Sequence, residues 1–305
     1  MIFIDMIRNY EFSLNNFITF LSKLQMASLN SEAIHNLLQQ PPELIKHITR
    51  RLHERNSRQS VFPSEGIDWQ SASAVLFLLG RHPQKGRFSG EPCLILNKRS
   101  ENVRQPGDLC CPGGRVSRRL DAGLAALLKL PIFHLRRWPH WPHWRETRPR
   151  DAKRLRLLLA TGVRESIEEM RLIPFGLDFL GPLPAQQLVM FQRVIYPMVV
   201  WIPRQKRFYP NWEVEKIIYI PLRDLLNPAG YARYRLQFEG QSAVAQVNTF
   251  PCFRYEKDDK IELLWGATYR ITAAFLDAVF DFVPPDPRSL PKIHGSLSKS
   301  YLSNN

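Results

Sequence analysis

Between Asp151 and Leu172 the apolar residues Leu155, Leu159, Val163, Ile167 and Met170 advance by four or three positions, the period of a helix with one buried stripe. The same stretch holds Arg164-Glu165-Ser166-Ile167-Glu168-Glu169. At 3.6 residues per turn, Glu165, Glu168 and Glu169 fall within roughly 100° of one another and share a face. Like charges so placed repel, and folding gains nothing from them unless a cation or an arginine neutralises them. A hard divalent cation, magnesium or manganese, takes such oxygen ligands. The competing reading is a solvated acidic face, the commoner origin of an isolated run of this kind.

The run is not isolated. Upstream stand Leu94-Ile95-Leu96-Asn97-Lys98-Arg99-Ser100 and then Val103-Arg104-Gln105-Pro106-Gly107-Asp108-Leu109-Cys110-Cys111-Pro112-Gly113-Gly114-Arg115. This order, a strand, an arginine, Pro-Gly before an acid, Pro-Gly-Gly and then RExxEE, resembles the Nudix hydrolases, and within them the coenzyme A diphosphohydrolase branch. Downstream, Phe179–Pro184, Val194–Pro197, Glu213-Val214, Tyr231–Tyr234 and Leu264–Thr268 continue in the order of that branch, so the resemblance spans about residues 70–283.

The chain departs from the family's box in three places. Arg164 stands 50 residues after Gly114, far more than the box allows, which marks an insertion at about 127–155. The glutamate position of the loop holds Leu120, with Asp121 one place late. The glycine that ends the family's helix is Arg171. A left-handed cap is costly for a residue with a Cβ, so the helix is expected to run on or to end differently.

The resemblance implies an α/β/α Nudix sandwich around a central mixed sheet and an enzyme acting on acid anhydrides. It implies Mg2+ or Mn2+ held by Gly114, Glu165, Glu168 and Glu169, with Arg164 orienting a glutamate. Glu165 and Glu213 are the candidate bases. Arg99 and Arg104 are candidate phosphate ligands, and Gly113 and Gly114 form the loop against the substrate. The expected reaction is hydrolysis of a diphosphate linkage in a nucleoside diphosphate derivative, with coenzyme A or its thioesters first. ADP-ribose or a dinucleotide is the alternative, and a weakly catalytic RNA- or protein-binding module is the reading from another class.

Half of the net charge of +14 lies between Lys129 and Arg156, where nine Lys/Arg face Glu146 and Asp151. This segment includes Trp138-Pro139-His140-Trp141-Pro142-His143-Trp144. A basic aromatic platform for a nucleotide is one reading. A hairpin arm whose tryptophans pack on the core or on a second subunit is the preferred one, with assembly into a homodimer favoured. His134, His140 and His143 lack convincing zinc spacing and are taken as solvated or packed. Nucleic acid is the lesser partner.

Cys93, Cys110, Cys111 and Cys252 show neither CxxC spacing nor a disulfide framework, so reduced thiols are expected. No window reaches 18 apolar residues, and the early acid Asp5 interrupts any signal-peptide core, so no membrane span and a cytoplasmic location are expected. Met1 and Met26 are both candidate starts. Residues 1–60 read as a helical extension, broken at Pro41-Pro42, and the Pro- and Ser-rich residues 284–305 as a disordered tail. Strands are expected near 75–79, 93–96, 175–180, 194–202, 216–220, 234–238 and 261–265, with helices near 122–130, 151–172 and 268–282.

Overall fold

The computed structural model describes residues 32–58, 60–63, 66–83, 90–128, 134–188, 193–238, 248–257, 260–297 and 301. The chain divides into two compact units, Met1–Leu44 and Ile45–Asn305. In the first, residues 32–39 are helical, and both candidate starts lie outside the described residues. The second unit carries everything that follows.

Its centre is β1 (Ala72–Arg81), in which Ala72 to Gly80 are all buried, as befits a strand covered on both faces. It pairs in parallel with β7 (Arg193–Ile202) and antiparallel with β2 (Pro92–Arg99) and β4 (Gly113–Arg115). Beyond β2 lie β3 (Leu109–Cys110) and β8 (Val214–Pro221), and beyond β7 lie β5 (Asp178–Pro182) and β6 (Gln186–Leu188). The result is a mixed eight-stranded sheet.

Helix α5 (Pro149–Met170) covers one face, setting Leu155, Leu159 and Val163 in one cluster with Ala74, Leu76 and Leu78. Gly162 permits the close approach, since a Cβ there would stand 2.7 Å from Leu76 Cδ2. On the other face Phe77 meets Phe275 of α7 (Gly266–Phe280) at 4.7 Å between ring centroids. Helix α1 (Pro41–Arg58) joins α7 there through Arg55 and Asp277 at 2.6 Å. The class is α/β, with helices on both faces of a mixed sheet, as the sequence implies. Ile167 is a correction: it is 36% exposed, while Ser166 is fully buried.

A second sheet has the order β11-β10-β9-β12, formed by β9 (Tyr231–Phe238), β10 (Asn248–Lys257), β11 (Lys260–Trp265) and β12 (Lys292–Leu297). The expectation of a disordered tail is therefore corrected: β12 pairs in parallel with β9 from Lys292↔Arg233 to Leu297↔Phe238, and Tyr301 is buried.

The insertion is helical. After α2 (Arg118–Leu127) come α3 (His134–Arg137), α4 (Trp141–Thr147) and the first turns of α5. Proline stands in the first turn of both α4 and α5, where its missing N–H would have no partner in any case. Trp138, Trp141 and Trp144 are buried in the main core cluster. Trp138 donates Nε1–H to the Leu180 carbonyl at 3.2 Å, and its ring lies 5.0 Å from that of Phe179. These tryptophans thus fill the chain's own core, which corrects both the stacking platform and the homodimer contact expected of them. His140 is packed, parallel to His53 at 3.6 Å. All four cysteines are free. Among the described residues no helix is long and apolar enough to cross a membrane.

Candidate active site

Arg164, on the second-last turn of α5, is the hub of a carboxylate cluster. Its Nε donates to Asp121 Oδ1 at 2.7 Å, Nη2 to Glu165 Oε1 at 2.9 Å and to the Arg115 carbonyl at 3.1 Å, and Nη1 to Glu168 Oε2 at 3.2 Å. Burial opposes the charge of the guanidinium, but Asp121 and Glu165 outweigh it and hold its pKa above the ordinary value. Asp121 has no exposure at all and also accepts from Thr161 Oγ1 at 2.8 Å and from the Ser117 N–H at 2.7 Å. Helix α2 begins at Arg118, earlier than the sequence suggests, which turns Asp121 inward and leaves Leu120 exposed. The acid one place late therefore makes the pair with Arg164.

Glu169 lies on the sheet side of this cluster. Its Oε2 accepts from Asn97 Nδ2 at 2.7 Å and from the Gly113 N–H at 3.4 Å. Burial pushes its carboxyl up to about 8, with the charges of Glu165 and Glu213 adding and the Gly113 N–H and Arg99 opposing. Burial also raises Glu165, against the pull of Arg164. Asn97 is 1% exposed, and its Oδ1 has no hydrogen-bond partner among the described residues.

The two glycines are required for different reasons. At Gly113, with φ +149°, a Cβ would overlap the Ala74 carbonyl and Val75 Cα, so the strand itself excludes a side chain. At Gly114 a Cβ would overlap the carboxyl of Glu165. The acid is thus seated directly on the glycine backbone.

Helix α5 ends at Met170, with Arg171 in the left-handed conformation at φ 53° and ψ 47°. The expectation that the helix avoids this cap is corrected. The Arg171 N–H donates to the Ile167 carbonyl at 3.0 Å and the Leu172 N–H to the Ser166 carbonyl at 3.2 Å; the first is the 5→1 bond of a left-handed helix cap. Gln205 fixes it, accepting from the Ile173 N–H at 2.7 Å and donating to the Arg171 carbonyl at 3.0 Å. The following loop caps the helix, since the Asn211 N–H donates to the Glu169 carbonyl at 2.8 Å. Asn211 Oδ1 then accepts from the Glu213 N–H at 2.9 Å, bringing Glu213 towards the carboxylates.

The structure thus brings together Gly113, Gly114, Arg164, Glu165 and Glu169, with Glu213 near enough to act on Glu169. Glu168 turns to Arg164, with its side chain 55% exposed. Arg99 is close enough for its charge to stabilise ionised Glu169, and its Nε donates to the Arg104 carbonyl at 2.6 Å. Arg104 is exposed. Asn97, Asp121 and Asn211 are the contributors that sequence reasoning did not assign. Among the described residues no group of three or more His, Cys, Asp or Glu is gathered to hold a metal ion; Glu165 and Glu168 are each paired with Arg164. The donors are nonetheless all oxygen, the set a hard divalent cation takes.

No family model matches the chain, and no curated protein matches it. Solved structures do show likeness. A NUDIX hydrolase from Alicyclobacillus acidocaldarius is 12% identical, covers 71% of this chain and 98% of its own, and has a TM-score of 0.36. The NUDIX domain of Shewanella oneidensis NrtR, complexed with ADP ribose, is 15% identical over 57% of this chain and 85% of its own, with a TM-score of 0.32. A C. elegans Ap4A hydrolase binary complex is 12% identical over 51% and 83%, also at 0.32. With TM-scores this low, these likenesses assign no function, which rests on the residues above.

Proposed function

We propose that this chain is a metal-dependent hydrolase of Nudix type that cleaves a diphosphate linkage in a nucleoside diphosphate derivative, coenzyme A or its thioesters first. The observation that carries this reading is Glu169. Its carboxylate is held by Asn97 and Gly113, raised to about 8 by burial and by Glu165 and Glu213, and lies beside a second acid seated on Gly114. A buried carboxylate repelled by its neighbours is stabilised most by a cation.

Glu165, Glu169, Glu168 and the Gly114 carbonyl would hold Mg2+ or Mn2+. Bound there, the cation neutralises diphosphate oxygens and acidifies water. Arg164 holds Glu165 at a fixed angle while Asp121 holds Arg164. Glu165 and Glu213 are the candidate carboxylates to accept a proton from attacking water. The charge of Arg99 reaches Glu169, and Arg99 Nε holds the Arg104 carbonyl; guanidinium groups suit diphosphate oxygens.

The test is a screen of coenzyme A, NADH, ADP-ribose and capped RNA with Mg2+ or Mn2+, run beside Mn2+ binding followed by electron paramagnetic resonance. Glu169→Gln should lower hydrolysis about 100-fold or more and weaken Mn2+ binding while melting normally. Near-normal turnover in that variant sinks the assignment. The cleaved substrate decides between coenzyme A and the ADP-ribose or dinucleotide alternative.

A further inference from the structure

The loop from Arg99 to Asp108 closes on itself and is then held from outside by a residue far along the chain. Within it, the Arg99 N–H donates to the Asp108 carbonyl and the Gly107 N–H to the Arg99 carbonyl, both at 3.0 Å. Gln105 takes the left-handed conformation at φ 57°, a state that a residue with a Cβ keeps only where its surroundings enforce it. From outside, Tyr301, 4% exposed, grips the loop at two points. Its carbonyl accepts from the Gln105 N–H at 2.9 Å, and its hydroxyl donates to Asp108 Oδ2. Trp265 occupies the other carboxylate oxygen, donating Nε1–H to Asp108 Oδ1 at 3.0 Å, and its ring lies 6.4 Å from that of Tyr301 at 27°. Burial pushes the Asp108 carboxyl up to about 6 against these two hydrogen bonds. None of these groups belongs to the carboxylate cluster, yet the loop they hold carries Arg99 and Arg104.

We propose that Tyr301 is a positioning residue that clamps loop 99–108 at Gln105 and Asp108 and so sets Arg99 and Arg104 to bind the substrate's diphosphate. This rests on reading the site as a diphosphate hydrolase. A clamped loop presents its arginines already ordered; an unclamped one must be ordered by the substrate, which weakens binding without altering the bond-breaking step. Tyr301 thereby becomes part of substrate recognition.

Full-length wild type, Tyr301→Phe and Tyr301→Ala would be compared by three measurements. These are kinetics on coenzyme A, NADH, ADP-ribose and capped RNA with Mg2+ or Mn2+, calorimetric binding of Mg·ADP, and amide hydrogen exchange of the 99–108 peptide. Tyr301→Ala should raise KM and the Mg·ADP Kd about tenfold, leave kcat within about twofold and speed exchange in the loop. Tyr301→Phe keeps the ring and the main-chain bond and should recover most of that loss. Exchange unchanged in Tyr301→Ala, or a fall in kcat at constant KM, overturns the clamp. Wild type that binds Mg·ADP better than Tyr301→Ala, yet cleaves no diphosphate, sinks the hydrolase reading and supports the clamp. Wild type that does not bind Mg·ADP overturns the assigned role of the arginines.

Discussion

Arg171 shows how a single residue departs from its motif without losing the motif's geometry. A side chain in the left-handed region costs roughly 1 kcal/mol relative to glycine, and here Gln205 and the loop behind it keep the helix end in place regardless. Arg171→Gly should therefore raise stability by about 1 kcal/mol, seen as a higher melting midpoint with unchanged turnover; a lower midpoint would show that the Arg171 side chain stabilises the cap. Helical spacing put Glu165 and Glu169 on one face, and the resemblance singled out Arg164, whose pairing with Glu165 the structure shows. The sequence did not foresee that Glu168 also pairs with Arg164, four residues earlier, and it left Asp121 without a role, because a one-position offset is decided by where α2 begins.

Among the elements, α5 and β7 were legible from periodicity, whereas β10 and β12 were not. Strand β10 carries Pro251, Arg254 and Glu256 among its apolar residues, and β12 sits in Pro- and Ser-rich sequence and forms by parallel pairing with a strand about 60 residues away. The insertion reads in sequence as a hairpin arm, whereas its Pro142 and Pro149 stand in the first turns of helices. Its docking on α1 has a measurable pH signature. Burial, with His53 and His143 adding, pushes His140 down to about 4, and burial likewise lowers His53, with His143 and Arg148 adding and Glu54 opposing. The unfolded chain takes up these protons first, near the ordinary value of about 6.5, so stability is full above that pH and is lost as the pH falls towards about 4. His140→Phe keeps a ring against His53 and should show a shallower fall of melting midpoint across that window. An equal fall in both proteins would mean that the stack does not couple to folding.

In the molecule as a whole, the site is assembled from β2, β4, α5 and the loop before β8, segments that only long-range pairing brings together. That is why the order of motifs was readable and their mutual distances were not. A cation held by these segments binds only the folded chain, so at a hundredfold excess over its Kd it should add about 2.7 kcal/mol of stability. Calorimetric melting with and without Mg2+ checks this, and Glu169→Gln should lose the increment; the same gain in both proteins would place the cation elsewhere.

Helix α5 joins insertion and site as one uninterrupted piece of 22 residues, about 33 Å long at 1.5 Å per residue. A continuous helix has a single phase. One residue added before Gly162 would turn everything upstream by about 100°, carrying Leu155 and Leu158 out of the core while Glu165 and Glu169 stayed in place. Seven residues would restore the phase to within about 20°. Length within α5 is therefore quantised in near-whole turns, and residues can be added to or removed from this helix only in those steps.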